Sequence, residues 1–194
     1  GSFLSRSFIA RYGGELAGCV LVGTMGKNPG AAPGLLAAKL QCKIMGPRSV
    51  GRELNKLATS GYNKRIEKPV NASAWLSRDE AVCRAFEADP LSNFPFTAAG
   101  YRDLFTGLSQ ISSKDWAVQV PNDLPVLLMA GEEDPVGNYG QGPRQVADML
   151  RAAGVQKVEL KLYGGMRHEI LNELGKEQVY GDVLKWLNDR TARV

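Results

Sequence analysis

The sequence has 194 residues, of which 44 % are hydrophobic and 23 % are charged, and its formal net charge is +4 at pH 7. This composition predicts a globular chain of one domain, with room for an inserted subdomain and for a core of useful size. No run of about 18 apolar residues is present, which excludes a membrane-spanning helix, and "GSFLSRSF" lacks the apolar core of a signal peptide.

Three cysteines, at positions 19, 42 and 83, are odd in number and far apart. This spacing fits neither a disulfide framework nor a CxxC-type metal site, and it suits a reducing compartment. We therefore interpret the cysteines as buried small hydrophobic residues and expect a cytoplasmic protein that needs no metal and no cofactor.

Positive charge is concentrated in one part of the chain. Residues 27–70 hold nine Lys and Arg against two Glu, a surplus larger than that of the whole chain. The ordinary interpretation is a solvated helix face, and the alternatives are an anionic membrane surface, an anionic substrate or nucleic acid. No nucleic-acid recognition motif accompanies the segment, so nucleic acid is not an expected partner.

The first segment, residues 1–25, begins with a predicted helix. Leu4, Phe8 and Tyr12 follow one another at intervals of four residues, and two glycines, at 13 and 14, end the pattern. The next stretch, "LAGCVLVGT" (16–24), is almost continuously apolar, which predicts a parallel strand covered on both faces.

Strand-like runs are absent from the second segment, residues 26–120. After "GKNPGAAPG" the periodicity predicts helical pieces around 35–45, 49–60, 79–88 and 97–110. We interpret this segment as a helical insertion.

The third segment, residues 121–194, alternates strands and helices. It has a buried strand at 124–130, a helix that Pro143 opens and Gly154 closes, an alternating strand at 158–163 and a final amphipathic helix with Val179, Val183, Trp186 and Leu187 on one face. Strand, helix and strand with short connections form a right-handed unit of parallel strands. The predicted fold class is α/β, with a mostly parallel sheet.

Two loops follow the strands of the third segment. In such sheets functional groups lie just past the carboxyl ends of the strands, so "GEEDPVG" and "GGMRHEI" should meet at one edge. Asp134 would then face His168, the single histidine of the chain. Glu132 and Glu133 compete as the acid, but Asp134 precedes Pro135, which makes the backbone rigid. A carboxylate that orients an imidazole needs only a hydroxyl nucleophile to complete a triad.

These motifs resemble the α/β-hydrolases, and within them the bacterial monoacylglycerol lipase or lysophospholipase-like group of the serine aminopeptidase S33 type. "GSFLSRSFIARYGGELAGCVLVGT" resembles the helix and strand after the nucleophile, residues 75–105 resemble the helical cap, and the two loops resemble those of the triad acid and histidine. The resemblance implies an α/β-hydrolase fold, a cap within residues 26–120, and Asp134 and His168 as the catalytic acid and general base.

The nucleophile of this family is the serine of G-x-S-x-G, on a strained strand-to-helix turn. Gly1 aligns with the last glycine of that motif, so the serine is expected two residues before Gly1 and outside this chain. Ser2, Ser5 and Ser7 lie past the turn, where a hydroxyl has no oxyanion donors, and we reject them as nucleophiles. The resemblance also implies that the N-terminal strands of the sheet are absent.

The expected parent protein is an ester hydrolase acting on monoacylglycerols or lysophospholipids by a Ser-His-Asp mechanism, and this chain alone is expected to be inactive. A peptidase or thioesterase is also possible, because fold and triad do not fix the acyl acceptor. The alternative is a non-catalytic fragment that binds a partner through strand 16–24, an apolar edge suited to an N-terminal segment or to a second copy.

Three weaker features concern ligands. The cap aromatics Phe94, Phe96, Tyr101 and Phe105 either line an acyl-chain pocket or serve packing alone. "GTMGKN" (23–28) follows a strand as a phosphate loop does, but Leu21 and Asn28 stand where such a loop needs glycine and Ser or Thr. The basic residues of the cap suggest peripheral contact with a lipid surface.

Overall fold

The computed structural model describes residues 1–113 and 115–191. Its described residues contain one sheet of three parallel strands in the order β1-β2-β3. The strands are β1 (Cys19–Val22), β2 (Val126–Gly131) and β3 (Val158–Tyr163). In the register of the sheet, Val126 lies opposite Cys19 on one side and opposite Val158 on the other. The predicted α/β class with a parallel sheet is confirmed.

The central strand β2 is buried along its whole length. Its alternate side chains enter two different cores, because successive residues of a strand point to opposite faces. Val126 and Leu128 belong to the larger core, and Leu127 and Met129 belong to the smaller one. Burial on both faces explains why this stretch is continuously apolar.

The described residues form seven α-helices. They are α1 (Ser2–Tyr12), α2 (Ala31–Met45), α3 (Arg52–Thr59), α4 (Glu80–Ala88), α5 (Ala98–Ser112), α6 (Gln141–Ala152) and α7 (Lys176–Thr191). Short 3₁₀ turns occur at Gly13–Glu15, Ala74–Leu76, Ala117–Gln119 and Ile170–Asn172. None of the described helices is long and apolar enough to cross a membrane.

Strand β1 is shorter than the predicted strand 16–24, because a glycine limits it at each end. A Cβ at Gly18 would lie 2.7 Å from the ring of Trp186, so the chain passes the ring too closely for a side chain. Gly23 has a φ of +62°, which is outside the strand region. Helix α6 also begins two residues before Pro143, after Gly140 at φ +82°.

The helical segment shares the larger core with the sheet. Phe105 and Ile111 of α5 belong to the same buried cluster as Leu21 of β1. Arg6 of α1 is fully buried and links the segments, since its guanidinium donates to the carbonyls of Met25 and Ile111 at 2.8 and 2.5 Å. Burial lowers the pKa of Arg6 to about 10, which leaves it charged at neutral pH.

The domain boundaries at 25/26 and 120/121 stay a prediction, and residues 114 and 192–194 of the predicted segments lie outside the described residues.

The cysteines form no disulfide. Cys83 is buried as predicted, but Cys19 and Cys42 are only half-buried, so the prediction that all three are buried was wrong for these two. They lie on β1 at the sheet edge and near the end of α2, where one side of each is open.

Candidate active site

Asp134 lies in the turn that follows β2. Its side chain is completely buried, and its Oδ1 atom accepts the backbone N–H of Val136 at 2.8 Å. Its backbone carbonyl accepts the N–H of Tyr139 at 2.8 Å. The turn therefore holds both the carboxylate and the backbone of Asp134. The competing acids Glu132 and Glu133 are exposed.

His168 follows β3 and meets Asp134 at the same sheet edge. Its Nδ1 atom lies 3.0 Å from Oδ2 of Asp134, with the histidine side chain 26 % exposed. Gly23, at the end of β1, is the third wall, because a Cβ there would lie 3.0 Å from Cε1 of the imidazole. The carboxyl ends of all three strands thus converge on one imidazole.

The loop of His168 is hydrogen-bonded to the 3₁₀ turn at Ala74–Leu76. The carbonyl of Leu76 accepts the N–H of Glu169 at 2.8 Å, and the carbonyl of Trp75 accepts the N–H of His168 at 3.4 Å. The guanidinium of Arg167 donates to the carbonyls of Ala74 and Ser77 at 2.7 and 2.9 Å. The helical segment therefore holds the histidine loop directly.

Glu173 also connects the helical segment to the loop of His168. Its side chain is fully buried and accepts the backbone N–H groups of Arg78, Arg167 and Leu174 at 2.8–2.9 Å. It also forms an ion pair with Nε of Arg78 at 3.0 Å. A buried carboxylate is tolerated only when its oxygens are satisfied in this way. Glu173 thus joins residue 78 to the chain on either side of His168.

Two aromatic rings of the helical segment line the approach to the imidazole. The ring of Trp75 lies 5.2 Å from that of His168, and the ring of Tyr62 lies 4.9 Å from that of Trp75. Burial raises the pKa of the Tyr62 hydroxyl, and the negative charge of Asp134 raises it further. Tyr62 therefore stays protonated and neutral at physiological pH.

A groove of about 690 Å³ begins at these rings. It runs between residues 55–63, 72–75 and 86–104, and its walls mix aromatic side chains with Asn and Ser. Phe94, Phe96 and Tyr101 of the predicted pocket line it. Phe105 does not, and its assignment to a pocket was wrong: it is buried against Gly34, where a Cβ would lie 2.7 Å from its ring.

Four residues of the site were missed from the sequence: Tyr62, Trp75, Arg167 and Glu173. The contacts of Glu173 with Arg78 span 95 residues of chain, a distance over which no local pattern gives a signal. Arg167 and Glu173 do flank His168 within the motif "GGMRHEILNE", so their proximity was visible but their partners were not.

This arrangement is suited to proton transfer. A buried carboxylate at Nδ1 favours the tautomer with the proton on that nitrogen and leaves Nε2 as a base. No serine among the described residues hydrogen-bonds to the imidazole, and the hydroxyl of Ser5 instead donates to the carbonyl of Gly1 at 3.3 Å. The described residues also hold no group of three His, Cys, Asp or Glu placed to bind a metal ion.

A parallel sheet with an Asp–His pair at its carboxyl edge, under a helical segment, defines the α/β-hydrolase class. The fold is shared with solved structures. The chain superimposes on a thermostable carboxyl esterase from Bacillus coagulans in complex with glycerol (TM-score 0.87, 28 % identity). A lipase in its open form gives the same TM-score at 26 % identity. The alignments cover 98 % and 100 % of this chain, and 62 % and 63 % of those chains.

Sequence comparison gives the family. The model of the serine aminopeptidase S33 family matches residues 1–175, and the chain belongs to that family. It is similar to a monoacylglycerol lipase of Mycolicibacterium smegmatis, with 30 % identity over 182 residues, which are 92 % of this chain. The chain spans about half of that relative, 55 % of its length.

Proposed function

We propose that the protein to which this chain belongs hydrolyses carboxylic esters of lipid-like substrates, monoacylglycerols or lysophospholipids, by a Ser-His-Asp mechanism. The observation that carries the proposal is the 3.0 Å contact between Nδ1 of His168 and the buried carboxylate of Asp134. Membership of the serine aminopeptidase S33 family, and the similarity to a monoacylglycerol lipase and to a carboxyl esterase, support it.

In the proposed reaction, His168 takes the proton of the nucleophilic serine as that oxygen attacks the ester carbonyl. It then gives the proton to the leaving alcohol, and an acyl-enzyme forms. Water attacks the acyl-enzyme with His168 again acting as general base, and the acid is released. Asp134 orients the imidazole and stabilises the imidazolium. The nucleophile, by the family resemblance, is a serine two residues before Gly1.

The substrate class rests on the groove and on the relatives. The groove joins the aromatic walls at Phe94 and Phe96 to the imidazole neighbour Trp75, so an apolar acyl chain can lie along it while its ester reaches His168. The similar M. smegmatis protein is a monoacylglycerol lipase, and the similar esterase was solved with glycerol bound. A glycerol ester satisfies both observations.

The proposal predicts hydrolysis of short and long p-nitrophenyl esters by a mixture of this chain with a separately made N-terminal segment that carries the serine. We expect no hydrolysis by the chain alone. His168→Ala should abolish the activity of the mixture, a loss of about 10³-fold or more, because the serine loses its base. Arg144→Ala, on the exposed face of α6, is the control and should keep full activity.

Silence from a correctly folded mixture, or full activity of His168→Ala, would contradict the proposal. Folding of both variants is checked by far-ultraviolet circular dichroism. The same assay with monoacylglycerol, lysophospholipid, peptide and thioester substrates separates the lipid esterase from the peptidase and thioesterase alternatives.

A second candidate is a non-catalytic fragment that binds another chain through the free side of β1. In the described residues β1 pairs with β2 alone. Helix α1, which packs beside it, exposes Leu4, Phe8 and Tyr12. An unpaired strand beside apolar side chains favours pairing with another segment. We propose a cytoplasmic location for either function, supported by three free cysteines.

A further inference from the structure

Tyr139 adopts an unusual backbone conformation in the turn that follows Asp134. Its φ is +55°, between Asn138 at +47° and Gly140 at +82°. Asparagine and glycine tolerate this left-handed region, but a tyrosine rarely adopts it, because its Cβ crowds the backbone. The N–H of Tyr139 donates to the carbonyl of Asp134 at 2.8 Å, which holds the residue in place. Strained residues of this kind are concentrated at functional sites, so the position of the tyrosine ring calls for a reason.

The ring of Tyr139 carries the guanidinium of Arg65. The guanidinium carbon lies 3.4 Å from the centroid of the ring, which is a close cation–π contact. Arg65 is exposed, and among the described residues its side chain has no ion pair and no hydrogen bond. The contact with the ring therefore limits the movement of the guanidinium and leaves its N–H donors free for a ligand.

Arg65 belongs to the same turn of the helical segment as Tyr62, at residues 61–65. Tyr62 packs on Trp75, whose ring is the neighbour of the imidazole, while Arg65 lies over the turn that follows Asp134. The turn at 61–65 thus contacts both sides of the catalytic pair. Tyr62 lines the groove and Arg65 does not, so the guanidinium lies outside the groove at its imidazole end.

This position selects one part of the ester. The acyl chain occupies the groove in the proposed function, so the alcohol is the part that extends beyond the groove at the imidazole. A guanidinium with free donors binds a phosphate or carboxylate through two parallel hydrogen bonds. Two carboxylates of the sheet edge are directed elsewhere: Glu132 approaches Gly164, and Glu169 accepts the side-chain amide of Asn172 at 2.9 Å. The free guanidinium therefore fits an alcohol that carries an anion.

We propose that Arg65 determines specificity by binding the phosphate on the alcohol part of a lysophospholipid, and that the site prefers such esters to monoacylglycerols. The proposal rests on the proposed function, since it names which of two lipid esters that site takes. Tyr139 is a positioning residue, because its ring acts on the phosphate only through the guanidinium.

Calorimetric titration of the full chain with two water-soluble esters tests the proposal. The esters are the monooctanoyl forms of glycerol and of glycerol 3-phosphate, which differ in the phosphate alone. We expect the phosphate ester to bind at least about tenfold more tightly, the effect of one charge-assisted contact. Arg65→Gln should remove this preference and leave the binding of the monoacylglycerol unchanged. Tyr139→Asn, which tolerates a positive φ but lacks the ring, should lower the preference about threefold.

Matched variants separate the phosphate contact from general effects. Arg11→Gln makes the same change in charge at an exposed arginine in the last turn of α1, which precedes β1 and so lies at the opposite edge of the sheet. It should keep the full preference. Tyr139→Phe retains the ring and should keep the preference as well, whereas a merely structural effect of Tyr139→Asn would weaken both esters alike. Thermal unfolding shows that each variant is folded.

Equal binding of the two esters, or an unchanged preference in Arg65→Gln, would overturn the proposal. Inorganic phosphate that competes as strongly as the phosphate ester would also overturn it, because the anion would then bind without the acyl part. The titration measures no hydrolysis. A mixture with the N-terminal segment that hydrolysed both esters with equal kcat/KM would contradict the preference alone. A mixture that hydrolysed neither, with the binding preference intact, would contradict the proposed function and leave the phosphate contact standing.

Discussion

At the scale of single residues, the site depends on how Asp134 is buried. A carboxylate that is buried away from water must have its oxygens hydrogen-bonded. Here one oxygen accepts a backbone N–H, and the other oxygen lies 3.0 Å from Nδ1 of the imidazole. Because Pro135 follows and the turn is closed by Tyr139, the carboxylate has little freedom to move away. The turn thus holds the acid in position for the imidazole.

Asp134→Asn tests this pairing in the chain as it stands. An amide can donate to Nδ1 as well as accept from it, so the neutral imidazole should shift from the Nδ1–H toward the Nε2–H tautomer. Because His168 is the single histidine, ¹⁵N spectra of histidine-labelled protein contain one pair of ring nitrogens and report the tautomer directly. In the complemented enzyme, kcat should fall by about 10⁴-fold.

Asp148→Asn is the matched control, since that carboxylate lies on α6 with 76 % of its side chain exposed. It should leave the imidazole spectrum unchanged. An unchanged spectrum for Asp134→Asn would mean that the carboxylate does not set the tautomer, and the role proposed for it would fall.

At the scale of elements, the local sequence pattern correctly predicted most helices and strands. The alternation of residues 158–163 predicted β3 with its observed bounds, and four helices were expected where α2 to α5 lie. The position of Asp134 and His168 at one edge followed from strand direction alone. The ends of β1 could not be predicted, because Gly18 and Gly23 are limited by Trp186 and by a positive φ.

Contacts between distant elements account for what the sequence did not reveal. Tyr101 and Phe105 lie one turn apart on α5, yet Tyr101 lines the groove and Phe105 packs on Gly34. Both residues lie on the same side of α5, so the difference depends on which part of that side α2 covers, and sequence periodicity does not contain that information. The same is true of Glu173, whose partner Arg78 is 95 residues away.

The close approach of β2 to the histidine loop gives a prediction at this scale. A Cβ at Gly131 would lie 2.0 Å from the carbonyl oxygen of Met166 and 2.3 Å from that of Arg167, and these are backbone atoms that cannot rotate away. Gly131→Ala should therefore displace the loop of His168 and lower the free energy of unfolding by about 3 kcal/mol or more. Urea unfolding measures this loss as a lower midpoint.

Gly181→Ala supplies a control of opposite sign. Gly181 lies within α7, and a Cβ there would have no neighbour within 4 Å. Alanine should stabilise this helix by about 0.5–1 kcal/mol, because it restricts the unfolded chain. If Gly131→Ala were as harmless as Gly181→Ala, the contact between β2 and the histidine loop would be looser than the structure shows.

At the scale of the whole molecule, the exposed apolar side chains of α1 lie beside β1, whose free side offers backbone hydrogen bonds as well as apolar contact. A bilayer core cannot satisfy backbone hydrogen bonds, so the surface formed by α1 and β1 is suited to another polypeptide.

We therefore predict that the isolated chain self-associates through α1 and β1, with a mass in light scattering that rises with concentration. Leu4→Glu with Phe8→Glu, at positions 77 and 49 % exposed, should return the mass to that of one chain, since charge at the interface opposes pairing. Val118→Glu with Leu184→Glu, which adds the same charge elsewhere, should leave the association intact. A single-chain mass for the unmodified protein at every concentration would mean that the edge of β1 is already protected, and pairing through it would no longer explain the exposed face of α1.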